Sequence, residues 1–251
     1  MKFLASSSKS LLVIQTLAII IFMIGLPFIQ FSIGYLILSI IAFYCYSVIG
    51  ISMMLHRYYS HKSFKISNTL KWFFTIFAIL AGRGSPLGWV YIHRIHHATS
   101  DSERDPHSPH FNSFKFIGFN PKIEEKINYF IIKEFLTPVH IKIDQYYLGI
   151  ILCFLLCLCL IDINLVFYIW ALPVLIVSIT QTCFNFFAHK YGYRNFETSD
   201  KSTNNIFLWP FILGDAWHNN HHANASKLST KVKKFEFDPL VFLINLIADN
   251  K

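Results

Sequence analysis

Histidine is the residue type whose number and spacing in this chain are suited to binding metal ions. The sequence has 251 residues and 12 histidines, and nine of the histidines lie in four short places. They are His56 and His61 in HRYYSH, His93, His96 and His97 in HRIHH, His218, His221 and His222 in HNNHH, and His189. Neutral imidazole binds iron, zinc, copper and nickel. Because a structural zinc site is closed by four ligands, nine imidazoles favour two metal ions with four or five nitrogens each.

The spacing within each box predicts which imidazoles share a helical face. In HRIHH and HNNHH the first, fourth and fifth residues are neighbours on a helix, so we expect each box to converge on one spot. Asn185 and His189 are four residues apart and share a face in the same way. His56 and His61 lie about 140° apart on a straight α-helix. They can meet only if the helix loosens at its end or the metal ions lie between them.

The other three histidines lack this spacing. His107, His110 and His140 lie in loop or amphipathic sequence and are predicted not to be metal ligands. Metal-bound imidazoles are usually oriented by carboxylates, and the candidates are Asp101, Asp105 and Asp215. For each of these three an ordinary solvated acid or a helix cap is an equally good interpretation.

Two long apolar runs, 11–55 and 146–188, must position these boxes. As single helices they would extend about 68 Å and about 65 Å, twice the roughly 30 Å of a bilayer core. Each is therefore predicted to be a transmembrane hairpin, turning near Pro27 and near Asp162. A third apolar piece, Trp72 to Ala81, is too short to cross and is predicted to be interfacial or re-entrant.

The charged residues lie outside those runs. The sequence is 54% hydrophobic and 14% charged, with a net charge of +8, whereas a soluble domain has about 25% charged residues. All 22 Lys and Arg lie before residue 10, between 56 and 142, or after 189. This sorting argues against a nucleic-acid partner, and the positive-inside bias predicts that both termini are cytoplasmic. The predicted fold is a single all-α integral membrane domain over 1–251, with four transmembrane helices in two hairpins and a helical cytoplasmic cap (56–145 and 189–251) that holds a di-metal site.

The boxes and their flanks resemble those of membrane fatty acid desaturases, specifically the acyl-CoA Δ9 (stearoyl-CoA) type. The similar segments are GSPLGWVYIHRIHH, SDSERDPHSPH, NFFAHKYGYR, GDAWHNNHH and FEFDP. The resemblance implies that all nine histidines bind two iron ions and that Asn185 contacts one ion through water. It also implies that Trp89 lies at the bend of a narrow tunnel for the acyl chain. The chain differs from that family near the second box, at Arg83, Gly88, Tyr91 and Ile92.

By the same resemblance, the expected reaction introduces a cis double bond, at Δ9, into a saturated acyl chain with consumption of O₂. Removing hydrogen from an unactivated methylene requires a redox metal, and zinc, which can occupy such a site on overexpression, has no redox chemistry. The substrate carrier is CoA, acyl-carrier protein or a lipid. No dinucleotide motif is present, so a separate ferredoxin or small cytochrome is the expected electron donor. The basic residues Lys231, Lys233 and Lys234 suit an acidic donor or anionic membrane lipid.

Two other functions remain open at this point. One is a diiron fatty acyl hydroxylase, which would insert oxygen where a desaturase removes a second hydrogen. The other is a non-catalytic membrane protein that holds zinc or haem. Redox-active iron and oxygen-dependent turnover would separate the enzymes from the last class.

Overall fold

The computed structural model describes residues 8–110 and 128–249, and the side chains from residue 11 onwards within those ranges. Over these residues the chain is helical, and its extended pairings are isolated bridges of Asn204 with Tyr193 and with Trp217. The all-α expectation is confirmed for this part of the chain. The portion of the predicted cap at 111–127 lies outside the described residues.

Many of the helices follow one another with short connections, whereas 188–205 and 224–238 are longer non-helical segments. The α-helices are α1 (Ser8–Gly25), α2 (Ile33–Tyr44), α3 (Asn68–Leu80), α4 (Pro86–Thr99), α5 (Pro138–Gln145), α6 (Tyr147–Ile161), α7 (Ile163–Leu165), α8 (Leu172–Phe187), α9 (Trp209–Ile212), α10 (His218–Ala223) and α11 (Pro239–Ile247). Wider π-helical winding continues α2 over Cys45–Ser60 and joins α7 to α8 over Val166–Ala171. Short 3₁₀ segments occupy Tyr129–Phe135, Ile206–Leu208 and Leu213–Ala216.

Two continuous helical stretches in the described ranges are long and apolar enough to cross a membrane, Ile33–Ser60 and Ile163–Phe187. A third is added if α5 and α6, which are bent by 67°, form one span. The apolar helix at Leu11–Gly25 is shorter. By length and composition the structure therefore supports two or three crossings, and the four-crossing topology stays a prediction.

The two apolar hairpins pack against each other and are joined at their turns. The Tyr35 hydroxyl donates to Asp162, and the backbone N–H of Gln30 donates to Asn164 Oδ1 at 2.8 Å. The Tyr35 ring also stacks on Tyr168, with 5.1 Å between ring centroids. These contacts bring the two predicted turns, near Pro27 and Asp162, to the same end of the bundle. The opposite end of the bundle carries the histidine boxes.

The third apolar piece forms α3, which lies against the π-helical stretch. At Gly50 a Cβ would lie 2.6 Å from the carbonyl oxygen of Phe77, so a residue without a side chain is required for this close approach. Ala78 and Ile79 face the core, whereas Phe73 and Ile76 are more than half exposed. A short helix with one buried and one exposed apolar face is consistent with the interfacial position predicted from its length.

Candidate metal centre

The nine box histidines lie in two adjacent groups. Within each group one ring nitrogen per residue lies within 4.8 Å of the others. The five-histidine group is His56, His61, His93, His97 and His221, and the four-histidine group is His96, His189, His218 and His222. The groups touch each other, since the rings of His97 and His222 stack with centroids 4.4 Å apart. The fold therefore brings together every histidine that the spacing singled out, in the numbers expected for two ions.

His56 and His61 meet because their helix is wound more widely than an α-helix. The backbone N–H of His61 donates to the carbonyl of His56 at 3.1 Å, an i to i+5 bond that closes the π-helical stretch. Residues five apart then lie on nearly the same face, and the two rings are 4.9 Å apart. Of the two ways in which this pair could meet, the structure has the loosened helix.

Each HxxHH box divides between the two groups, so the expectation that each box converges on one spot is wrong. In HRIHH the i and i+4 pair, His93 and His97, belongs to the five-histidine group, and His96 belongs to the other. In HNNHH the pair His218 and His222 belongs to the four-histidine group, and His221 belongs to the other. On a helix the i+3 and i+4 residues point about 100° apart. A single box at the boundary between the two groups can therefore contribute imidazoles to both of them.

Helix α4, which carries HRIHH, has a well-capped start. Ser85 accepts a hydrogen bond from the backbone N–H of Gly88 at 3.2 Å, and Pro86 occupies the first turn, where its missing N–H costs nothing. The Ser85 hydroxyl also donates to the Asp144 carboxylate on α5. Both ends of this contact are buried, so it holds the position of α4 relative to the second hairpin.

Helix α10, which carries HNNHH, has only six residues and needs tertiary contacts to form. The two asparagines of the box supply them from buried positions. Asn219 Oδ1 accepts from the backbone N–H groups of Asn195 and Phe196, at 2.8 and 2.9 Å. Asn220 donates to Glu236 Oε2 at 2.9 Å and to the carbonyl of Thr230 at 2.8 Å. The NN of HNNHH therefore fixes the helix that presents three imidazoles.

Four carboxylates lie against the outer nitrogens of the imidazoles. His189 Nδ1 is 2.9 Å from Asp101, His96 Nδ1 is 2.9 Å from Asp105, and His56 Nδ1 is 3.2 Å from Asp215. The three carboxylates suggested by the sequence are thus in place. A fourth, Asp200, lies 2.7 Å from His222 Nδ1. Sequence reasoning missed Asp200, because nothing in its spacing distinguishes it from other loop acids.

The carboxylates are distributed unequally between the two groups. Counting only carboxylates in the described part of the chain, three of the four histidines in the four-histidine group have one at Nδ1, against one of five in the other group. A carboxylate is only an acceptor, so each of these Nδ1 atoms carries the proton and each Nε2 presents its lone pair inward. The four-histidine group therefore lies in the more negative surroundings.

Asp215 is also part of a buried ion-pair network with Arg57 and Asp238. Arg57 Nη2 is 3.3 Å from Asp215 Oδ1, and Arg57 Nη1 is 3.1 Å from Asp238 Oδ2. Ser52 donates to Asp215 at 2.5 Å. Gly214 is required beside this network, because a Cβ there would overlap the Asp238 carboxylate. The network fixes the position of the Asp215 carboxylate beside Nδ1 of His56.

Burial keeps the imidazoles of His61 and His222 neutral, whereas the carboxylate of Asp215 is charged. Burial lowers the pKa of His61 to about 2, and burial lowers that of His222 to about 4 despite its hydrogen bond with Asp200. Burial by itself would raise the pKa of Asp215, but the proximity of His56 and Arg57 outweighs it and holds that pKa at about 2. Lone pairs are therefore available for a cation at neutral pH.

The distances between inner nitrogens fit a bound cation. Nε2 of His221 lies 2.9 Å from Nε2 of His56 and 3.0 Å from Nε2 of His97. Nε2 of His189 lies 2.9 Å from Nε2 of His218, and the buried Nε2 of His222 has no hydrogen-bond partner in the part of the chain that the structure describes. Inward-facing lone pairs at such distances repel unless a proton or a metal ion lies among them. The residues present therefore suit two divalent ions with nitrogen ligands.

The remaining histidines have other partners. His110 Nε2 donates to the backbone carbonyl of His189 at 2.9 Å, and the His107 ring lies 5.5 Å from His96. His140 is hydrogen-bonded to Thr137 and surrounded by aromatic rings, away from both groups.

The two other sequence candidates lie at the edge of the centre. Asn185 is half-buried on α8, one turn before His189. The Trp89 indole stacks on His93 with centroids 6.2 Å apart, and its buried Nε1 has no hydrogen-bond partner within 8–110 and 128–249. Arg83, at a position where the sequence departs from the desaturase pattern, has two buried nitrogens without a hydrogen-bond partner among the described residues, and burial lowers its pKa to about 10. It keeps its positive charge at neutral pH.

The chain is similar to proteins of one known family. The model of the family described as fatty acid desaturase matches residues 30–231, a range that contains all nine histidines. The sn-1 stearoyl-lipid 9-desaturase of Anabaena variabilis is 30% identical over 70% of this chain and 66% of its own length. The Delta-9 acyl-lipid desaturase 1 of Arabidopsis thaliana is 32% identical over 79% of this chain and 68% of its own length. The Acyl-CoA 5-desaturase AL21 of Anemone leveillei is 29% identical over 84% of this chain and 68% of its own length. The chain thus spans about two thirds of these relatives.

Proposed function

The chain belongs to the fatty acid desaturase family, and from that premise we propose that it introduces a cis double bond at Δ9 into a long saturated acyl chain. The observation that carries the proposal is the pair of histidine groups, buried within the range that matches the family. The Δ9 position is supported by the names of two relatives, a stearoyl-lipid 9-desaturase and a Delta-9 acyl-lipid desaturase. The nine histidines would hold two iron ions, with Asn185 reaching one of them through water.

Bound iron would activate O₂, and O₂ would supply the oxidising power needed to remove hydrogen from an unactivated methylene. The protein's own residues do the rest. The histidines and the carboxylates behind them fix the ion positions, and burial excludes water from the centre. Trp89, held by stacking on His93, is the proposed wall against which the acyl chain bends. A separate ferredoxin or small cytochrome would deliver electrons to the basic side of the cap.

Four membrane crossings with cytoplasmic termini complete the proposal. The hydrogen bonds between the two hairpin turns and the grouping of basic residues around the histidines support it. A reporter fused after residue 245 is expected to be cytoplasmic, and one inserted at Asp162 is expected on the opposite side. Two reporters on the same side of the membrane would contradict the topology.

The unequal carboxylates predict unequal metal affinity. Replacing Asp200 by Asn removes the charged acceptor at His222 Nδ1 and is expected to weaken metal binding in the four-histidine group by about 10–100-fold. Metal analysis after stepwise chelator treatment would measure this loss of affinity. We expect half of the bound metal to be removed at low chelator concentration. Lys201→Gln, which changes an exposed neighbour of Asp200, is the matched control. Equal metal retention in both variants would show that Asp200 does not support a ligand.

Fatty acid profiling of a host that expresses the chain tests the proposed reaction. We expect a new cis-Δ9 monoene, absent without O₂ and absent from a His218→Ala variant, detected by gas chromatography with mass spectrometry. A hydroxylated chain without a monoene would instead identify a diiron hydroxylase. Unchanged lipids in the presence of iron, O₂ and a working donor would contradict both enzymatic proposals and favour a non-catalytic metal protein.

A further inference from the structure

A groove outside the metal centre runs along α8 where that helix faces the segment 206–211. Its volume is about 580 Å³, within the range of small-molecule sites. Ile176, Ile179, Cys183 and Phe187 form one wall at helical spacing, and Leu208 is part of the other. The lining is almost entirely apolar, so the groove suits a hydrocarbon occupant.

The groove opens on the surface that faces the bilayer. Ile179 is 60% exposed and lies on Ile163–Phe187, one of the two helices that are long enough to cross the membrane. Across the opening, Phe207 is 84% exposed. Exposed apolar side chains on both rims make the groove continuous with the lipid-facing surface. Its occupant is therefore drawn from the membrane.

The dimensions and polarity of the groove match one leaflet. From Ile176 to Phe187 the wall is about 16 Å long at 1.5 Å per residue, close to half of the roughly 30 Å hydrocarbon core. The end near the cap has polar groups, namely Tyr191, Asn205 and the neighbouring exposed Lys190. The groove is therefore apolar along its length and polar at one end. An amphipathic lipid, with its acyl chain directed into the membrane and its head group at the surface, has the same distribution of polarity.

The far wall is held independently of any occupant. The Tyr44 hydroxyl donates to the carbonyl of Pro210, and the Ser47 hydroxyl donates to the carbonyl of Phe211, each at 2.9 Å. These bonds tie α9 to the other long apolar helix. The groove is therefore a preformed feature of the fold, which lowers the entropic cost of binding a flexible chain.

One layer of side chains separates the groove from the four-histidine group. The Phe184 ring lies 4.7 Å from the ring of His218. Phe184 packs against the small buried cluster of Ala188, Leu208, Ile212 and Ala216, and Leu208 also lines the groove. A chain in the groove would lie directly behind this layer.

We propose that the groove is a docking site for an acyl chain of a bilayer lipid, from which an acyl-lipid substrate is presented to the metal centre. The choice of an acyl lipid as occupant rests on the proposed function. The head group stays at the cap margin beside Lys190, and the chain occupies the leaflet-length groove.

Photo-crosslinking tests the site without requiring turnover. The purified full chain is placed in phosphatidylcholine nanodiscs that contain a phosphatidylcholine with a diazirine in one acyl chain, and adducts are mapped by peptide mass spectrometry. We expect adducts concentrated on 176–187 and 206–211. Ile179→Trp, which fills the groove, should reduce them several-fold, and Cys183→Phe provides a second filling variant. Leu152→Trp, on a lipid-exposed position of α6 (47% exposed), is the matched control and should leave them unchanged.

Four outcomes would overturn the inference. Adducts spread over α1, α6 and α8 in proportion to exposed area would mean simple lipid contact, and cross-links from Cys183 to a second copy would make the groove a protein interface. Preference for a diazirine acyl-CoA over the lipid would exclude the lipid as occupant. A His218→Ala chain should retain the adducts although it is inactive. Missing desaturation therefore contradicts the proposed function alone, whereas missing adducts in an active enzyme contradict the groove alone.

Discussion

Replacing any one of the nine box histidines by alanine is expected to abolish desaturation while the protein still inserts into the membrane. His222→Ala removes one of four nitrogens in its group and leaves Asp200 without its partner. Loss of an outer-shell partner alone costs about 10–100-fold, so loss of a ligand should exceed that. Product formation in the expressing host measures activity. The metal content of the purified variant should fall from two ions per chain towards one.

His140→Ala is the matched control for this series. His140 is buried but lies among Tyr59, Trp72 and Phe135, and its hydrogen bond is to Thr137. Its loss should leave substantial activity and unchanged metal content. An essential His140 together with a dispensable His189 would show that the proposed ligand set is wrong.

Asp238→Ala is expected to lower the free energy of unfolding by about 3–5 kcal/mol, because it leaves a buried guanidinium without one of its two carboxylates. The side chains of Arg57 and Asp238 are 3% and 1% exposed. Asp238 also accepts hydrogen bonds from the backbone and hydroxyl of Thr230. Chemical denaturation in detergent would measure the change. Gly214→Ala should act in the same direction, because its methyl group would displace the Asp238 carboxylate.

Glu134→Ala removes ion pairs of a different kind and serves as the comparison. Its carboxylate lies 3.0 Å from Lys62 and 2.7 Å from Arg94, but its side chain is 31% exposed and that of Lys62 is 57% exposed. Solvent-exposed pairs contribute about 0–1 kcal/mol. If Asp238→Ala cost no more than Glu134→Ala, the buried network would not be a stabilising feature of the site.

The histidines of the centre could be identified from the sequence because the pattern that marks them lies within short segments of the chain. The spacing of the histidines within each box and the position of each box beside an apolar run are properties of short segments. Together with the resemblance to membrane desaturases they were enough to name all nine histidines, the apolar runs and the helical class. Three of the four carboxylates could be suggested because they lie near the boxes in the sequence.

Contacts between distant segments decided the rest. One such feature is the π-helical winding that brings His56 and His61 together, and another is the division of each HxxHH box between two groups. Both depend on how several helices pack together, and the residue spacing within one helix does not predict that packing. Asp200 reaches His222 across a loop whose fold has no sequence signature. The groove beside α8 exists because Tyr44 and Ser47 hold α9 about 165 residues away along the chain. Such long-range contacts carry an entropic cost that only the assembled core can offset, and for that reason the tertiary structure alone determined the geometry of the site.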